Sequence, residues 1–225
     1  MATLVELIAE ACRLRLMRGL EELLEGGGYP RVAGVDEVGR GALAGPVVVA
    51  AVIPAPGAWI PLVDDSKLLD AAERERVAAE LRRTALGWSI AVVPAEVIDR
   101  INILEASKRA MIAALRALDP APDCAVVDAV RLRGLAFPCL PVIRGDQISY
   151  AVACASILAK VERDRMMTAL DREFPHYGFA SHKGYGVPEH LRVLAEYGPA
   201  PVHRLTFHPV LPRPGEGCPP DRGAA

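Results

Sequence analysis

The sequence predicts one α/β domain built around a mixed sheet. Three observations carry that reading. Short apolar runs rich in valine alternate with segments whose apolar residues recur at helical spacing. A chain of 225 residues with 52% apolar and 24% charged residues can bury a sizeable core unaided. No internal repeat, heptad run or domain-parting linker interrupts the pattern. The formal net charge of −2, from 26 Lys and Arg against 28 Asp and Glu, excludes a disordered or strongly basic chain and a broad cationic coat for nucleic acid. It leaves room for a compact site that handles phosphates locally.

The elements follow in order. Leu4, Ile8, Cys12, Leu16 and Leu20 predict an amphipathic N-terminal helix, ended by Gly26, Gly27 and Gly28, and the segment lacks the regions of a signal peptide. Arg31 to Val35 begins a strand, and Val47 to Ile53, rich in valine, is a second and central one. The uncharged run from Gly41 to Val63 is long enough to cross a bilayer, but Pro46, Pro54, Pro56 and Pro61 break it, so it reads as a buried strand and a loop. Asp70 to Thr84 predicts a surface helix, Trp88 to Val93 a third strand, and Ile103 to Leu118 another helix. Cys124 to Val127 runs into Asp128, and Leu140 to Ile143 runs into Arg144-Gly145-Asp146, as strands ending at a polar rim. Helices at Ser149 to Leu170 and Pro188 to Tyr197 complete the domain, and the prolines and glycines of Leu211 to Ala225 predict a disordered tail. The expected division is an N-terminal helical extension at 1–29, a catalytic domain at 30–210 and the tail at 211–225. Cys12, Cys124, Cys139, Cys154 and Cys218 form no CxxC and read as reduced core thiols of a cytoplasmic protein, not as a zinc site.

Asp36 and Glu37 follow an apolar run. Adjacent acids beside a sheet core cost desolvation free energy unless a cation or donors offset it, so they read either as divalent-metal ligands or as a solvated turn. Asp128 and Asp146 repeat the arrangement at two other strand ends, and neighbouring parallel strands would bring all four acids to one edge. Asp146 also reads as a helix N-cap. Gly39-Arg40-Gly41 allows a ligand close to the backbone or makes a tight turn. Gly39, Gly41 and Gly45 miss the dinucleotide fingerprint by one residue and precede a strand where that motif needs a helix; no P-loop is present. Asp65-Ser66-Lys67 offers a hydroxyl and an ammonium to a phosphate, or simply starts a helix. His182-Lys183-Gly184-Tyr185-Gly186 combines a cation with a ring that can stack on a sugar or base. From Arg131 to His208, ten Lys and Arg face seven Asp and Glu, which reads as a polyanion face or as an ordinary solvated surface.

Together these segments resemble type 2 ribonuclease H, the bacterial ribonuclease HII group. The matching stretches are AGVDEVGRGALAGPVVVAAVI at 33–53, DSK at 65–67, INILEASKRAMIAAL at 101–115, AVVDA at 125–129, RGDQISYAVACASILAKVERDRMM at 144–167, FPHYGFASHKGYGVPEH at 174–190 and GPAPVHRLTF at 198–207. The resemblance implies a ribonuclease H fold, a five-stranded mixed sheet flanked by helices with extra C-terminal helices. It implies two Mg²⁺ or Mn²⁺ ions held by Asp36, Glu37, Asp128 and Asp146, which serve as both catalytic and metal residues. It implies an endoribonuclease that hydrolyses the RNA strand of RNA/DNA hybrids and cuts 5′ of ribonucleotides embedded in duplex DNA, leaving 3′-hydroxyl and 5′-phosphate ends. Gly39, Arg40 and Gly41 would read the ribose 2′-hydroxyl, Tyr185 would pack on the adjacent deoxyribose, and Lys67 would meet a phosphate. The chain departs from the family at Leu68, where a second lysine is common, and at Ala129, where a glycine is common. The expected protein is a monomer without a membrane partner, and no protein partner is legible. Two other readings remain: a DNA resolvase of the same fold, and a catalytically silent hybrid-binding module, against which the four intact acids speak.

Overall fold

The computed structural model describes residues 3–57, 59–63 and 69–211. The segment Asp65-Ser66-Lys67 and the tail beyond Leu211 lie outside the described residues. Five strands, β1 (Val32–Val38), β2 (Val47–Ile53), β3 (Gly87–Val93), β4 (Cys124–Asp128) and β5 (Cys139–Val142), form one sheet in the order β3-β2-β1-β4-β5. β2 lies between β1 and β3 and runs antiparallel to both, whereas β4 runs parallel to β1 and β5 parallel to β4. This is the expected mixed sheet, and its parallel half carries the polar rim.

The described helices are α1 (Leu4–Met17), α2 (Gly19–Gly26), α3 (Ala71–Thr84), α4 (Ala95–Ile101), α5 (Ile103–Arg116), α6 (Gly145–Ile148), α7 (Tyr150–Glu173), α8 (Phe179–His182) and α9 (Pro188–Tyr197). None is long and apolar enough to cross a membrane. β2 is buried throughout because it is central and covered on both faces. Its period of two sends Val48, Ala50 and Val52 into the core under α3 and α7, and Val49, Ala51 and Ile53 into the core under α5. Gly34 of β1 lets α7 lie close on the sheet, since a Cβ there would stand 2.0 Å from the Ala151 carbonyl carbon.

Several expectations change. β1 continues through Asp36 and Glu37 to Val38, so these acids lie within the strand rather than after it. The single helix expected from Ile103 is preceded by α4, and Asn102, at φ 64°, separates the two while its side chain accepts from the Glu105 amide. The cap of α7 is Ser149, whose Oγ accepts from the Val152 amide, and Asp146 sits one short turn earlier in α6.

The N-terminal helix breaks at Arg18, and its predicted apolar stripe points outward: Leu4, Ile8 and Leu16 are 72%, 55% and 81% exposed. Cys12 is likewise exposed rather than a core thiol. The inner face is instead built by Leu14, Met17, Arg18 and Glu21. Buried Glu21 explains the reversal, because its Oε1 accepts from the Ser149 hydroxyl at 2.5 Å and from the Ala151 amide at 2.9 Å. A carboxylate from the extension thereby satisfies a donor at the orphaned first turn of α7.

Candidate active site

The parallel half of the sheet delivers the acids. Asp36 and Glu37 close β1, Asp128 ends β4, and Asp146 follows β5 on α6. All four line one cavity of about 470 Å³ together with Gly39, Arg40, Gly41, Ser156, Lys160 and Tyr185. The four acids, Gly39, Arg40, Gly41 and Tyr185 therefore meet in one place, whereas Lys183 of the same loop as Tyr185 lines a separate cavity beside Glu75 and Asp164.

The carboxylates are held apart by local partners. Asp36 Oδ1 accepts from the Glu37 amide at 2.7 Å, Asp128 Oδ1 from the Gly145 amide at 2.7 Å, and Glu37 Oε1 pairs with Arg40 Nη1 at 3.2 Å. Asp36 is only 7% exposed. Burial, with the charges of Asp128 and Glu37 adding to it, pushes its carboxyl up to about 8, against the pull of a hydrogen bond with Ser156. Burial also raises Glu37, although Arg40 opposes the shift. Lys160 reaches the cavity but pairs with Asp164 at 2.7 Å. The acid cluster is thus under-neutralised, and Glu37 Oε2 is buried with no hydrogen-bond partner.

That orphaned oxygen and the all-oxygen donor set fit a hard divalent cation such as Mg²⁺ or Mn²⁺. As the side chains lie, no group of three His, Cys, Asp or Glu among the described residues forms a ready ligand cluster. Loading an ion would require Asp36 to lose its proton and the acids to converge.

Beside the acids, the turn from Gly39 to Pro46 is fastened from behind by two buried arginines that the sequence reading does not single out. Arg163 Nε donates to Pro46 O at 3.0 Å and its Nη2 to Ala44 O at 3.2 Å. Arg204 donates through Nε and Nη2 to Gly45 O at 3.0 and 2.9 Å, and through Nη1 to Arg40 O at 2.9 Å. Neither forms an ion pair among the described residues, and burial lowers the pKa of both. With these carbonyls drawn inward, the Arg40 and Gly41 amides donate to no acceptor among the described residues. Such open amides suit an anionic or hydroxyl oxygen.

Tyr185 lies over this frame, its ring centroid 5.4 Å from the Arg163 guanidinium carbon. A buried histidine relay holds its backbone. The Tyr185 carbonyl can only accept, so His190 Nδ1 donates to it at 2.9 Å; His190 Nε2 then accepts from His203 Nε2 at 3.0 Å, and His203 Nδ1 accepts from the Ala200 amide at 2.9 Å. Both histidines are neutral in this arrangement, and burial pushes His203 down to about 4. The sequence signal on α7 is partial: Ser156 interrupts the apolar run at 150–159, and Lys160 and Arg163 follow it at helical spacing, but they stand among other charged residues of the second half of the helix.

A sequence model of the family "Ribonuclease HII" matches residues 33–210. Ribonuclease HII of Solibacter usitatus is 51% identical over 198 residues, covering 88% of this chain and 86% of its own. That of Chloroflexus aurantiacus is 49% identical over 197 residues, covering 85% and 93%. The crystal structure of ribonuclease H2 from Pyrococcus horikoshii superposes with a TM-score of 0.69 at 26% identity, covering 79% of this chain and 94% of that one.

Proposed function

Since the chain belongs to the ribonuclease HII family and is a ribonuclease H hydrolase, we propose that it cuts duplexes at ribonucleotides, 5′ of the ribose, with two Mg²⁺ or Mn²⁺ ions held by Asp36, Glu37, Asp128 and Asp146. The observation that carries this reading is the shared cavity: four acids short of cations beside a turn whose amides are open. Bound there, the ions would supply Lewis acidity to the attacking water and to the leaving 3′ oxygen.

The chain's own residues do the rest. The acids hold the charge that the ions offset, and Asp36 must give up its proton before it can act as a ligand. Arg40, exposed on the rim, is free to leave Glu37 for a phosphate oxygen once Glu37 turns to an ion. The Arg40 and Gly41 amides offer donors to a ribose 2′-hydroxyl, the group that distinguishes RNA from DNA at a single position. Tyr185, 37% exposed above Arg163, offers its ring to the neighbouring sugar. Lys67, which lies outside the described residues, is proposed as a phosphate contact from the family motif alone.

Cleavage of a duplex with ribonucleotides in one strand, compared with an all-DNA duplex of the same sequence, tests the reading. Metal-dependent scission of the first only is expected. Equal scission of both would favour a resolvase-like activity instead.

A further inference from the structure

A second cavity, of about 440 Å³, opens where α5 meets the segment after β4. Its construction is legible residue by residue. Val130 and Leu132 are buried in the core under α5, so the intervening extended chain turns Arg131 and Arg133 outward. From α5, Lys108 and Arg109 face the same space. The acid lining it, Glu105, is tied to Lys108 at 3.4 Å. Arg109, Arg131 and Arg133 have no hydrogen bond or ion pair among the described residues, so their charge stands uncompensated on the cavity wall. In a chain of net charge −2, three guanidiniums without a carboxylate partner among the described residues converge on this one cavity.

Position gives the cluster a use. Arg131 follows Asp128 by three residues, so their Cα atoms lie no more than about 11 Å apart. One strand of duplex DNA rises about 3.4 Å per phosphate, so that reach spans roughly three steps. We propose that this cavity grips the phosphodiester backbone of the same duplex, a few nucleotides from the ribonucleotide held at the acids. The proposal rests on the duplex-cutting reading and adds to it a cationic contact outside the acid cavity. It also reconciles an acidic chain with a polyanionic substrate, because attraction is concentrated in one place and not spread over a face.

The test uses the full chain and the triple variant Arg109→Gln, Arg131→Gln, Arg133→Gln, whose exposed positions should leave the melting temperature unchanged. Binding is read by fluorescence anisotropy across a salt series, and KM and kcat by cleavage in Mg²⁺. On a duplex that extends well past the ribonucleotide on both sides, the variant should bind about tenfold more weakly at low salt, with kcat unchanged. The slope of log affinity against log salt should fall by about one per lost contact. On a truncated duplex that ends beside the ribonucleotide, the two proteins should match. An unchanged salt slope on the extended duplex would overturn the proposal. So would an equal loss in Arg15→Gln, Arg76→Gln, which removes charge elsewhere. Should the wild-type chain cut neither duplex, the catalytic reading fails while the anisotropy slopes still decide the cavity.

Discussion

Arg163 occupies the space that a side chain on Gly39 would need: a Cβ there would stand 2.0 Å from the guanidinium Nε. Gly39 also has φ 94°, a conformation that side chains resist. The turn beside the acids is therefore shaped by an absence on one side and a buried cation on the other. Gly39→Ala should push the turn off Arg163 and lower kcat/KM on ribonucleotide-containing duplex about 100-fold, the cost of roughly an ångström of misplacement. Arg163→Lys, which lacks the fork to reach two carbonyls, should do the same. Unchanged kinetics in both variants would remove the turn from substrate positioning.

Asp36 should make the metal-free protein less stable in alkali. Its carboxyl has an ordinary value of 3.8 and rises to about 8 in the fold, so the folded chain holds the extra proton between those values. Stability then falls as pH rises through that window. Denaturant midpoints measured in chelator should drop from pH 6.5 to 8 in the wild type and stay flat in Asp36→Asn, which should also lose cleavage. A parallel drop in the variant would assign the dependence elsewhere.

The histidine relay predicts the opposite behaviour in acid. His203 falls from an ordinary 6.5 to about 4, so its contribution is complete above 6.5 and is lost as pH falls toward 4. Measured in an Asp36→Asn background, which removes the opposing trend of that carboxyl over the same window, midpoints should decline over that range, and adding His203→Gln should remove most of the decline. Persistence of the full decline in the variant would place its source outside the relay.

Ala129 follows the third acid with φ 48°, a left-handed conformation that costs a non-glycine residue roughly 1 kcal/mol or more. Ala129→Gly should stabilise the fold by about 0.5 to 1 kcal/mol after the added freedom of the unfolded chain is counted. Equilibrium denaturation that shows a loss instead would mean that the Ala129 methyl packs usefully.

What was legible follows from physics that is local. The valine run of β2, the capping box of Asp70 and Glu73 on α3 and the proline-started α9 announce themselves within a few residues. The acids were legible because each ends or follows an apolar run, and parallel pairing of β1, β4 and β5 then gathers them. Arg163 and Arg204 were not, because their partners are backbone carbonyls more than a hundred residues away in the chain. The outward stripe of α1 fails for a related reason. Helical periodicity finds an apolar face but not which face docks, and here the buried carboxylate of Glu21, bonded to Ser149, decides it. α4, seven residues long, is too short for periodicity to register.

The most direct test is to map the cut in a duplex that carries one ribonucleotide, incubated with the wild-type chain and with Asp128→Asn in Mg²⁺ or Mn²⁺. The account predicts a single break 5′ of the ribonucleotide with 3′-hydroxyl and 5′-phosphate ends, and no break with Asp128→Asn. A break 3′ of the ribonucleotide, or one that survives loss of Asp128, would contradict it.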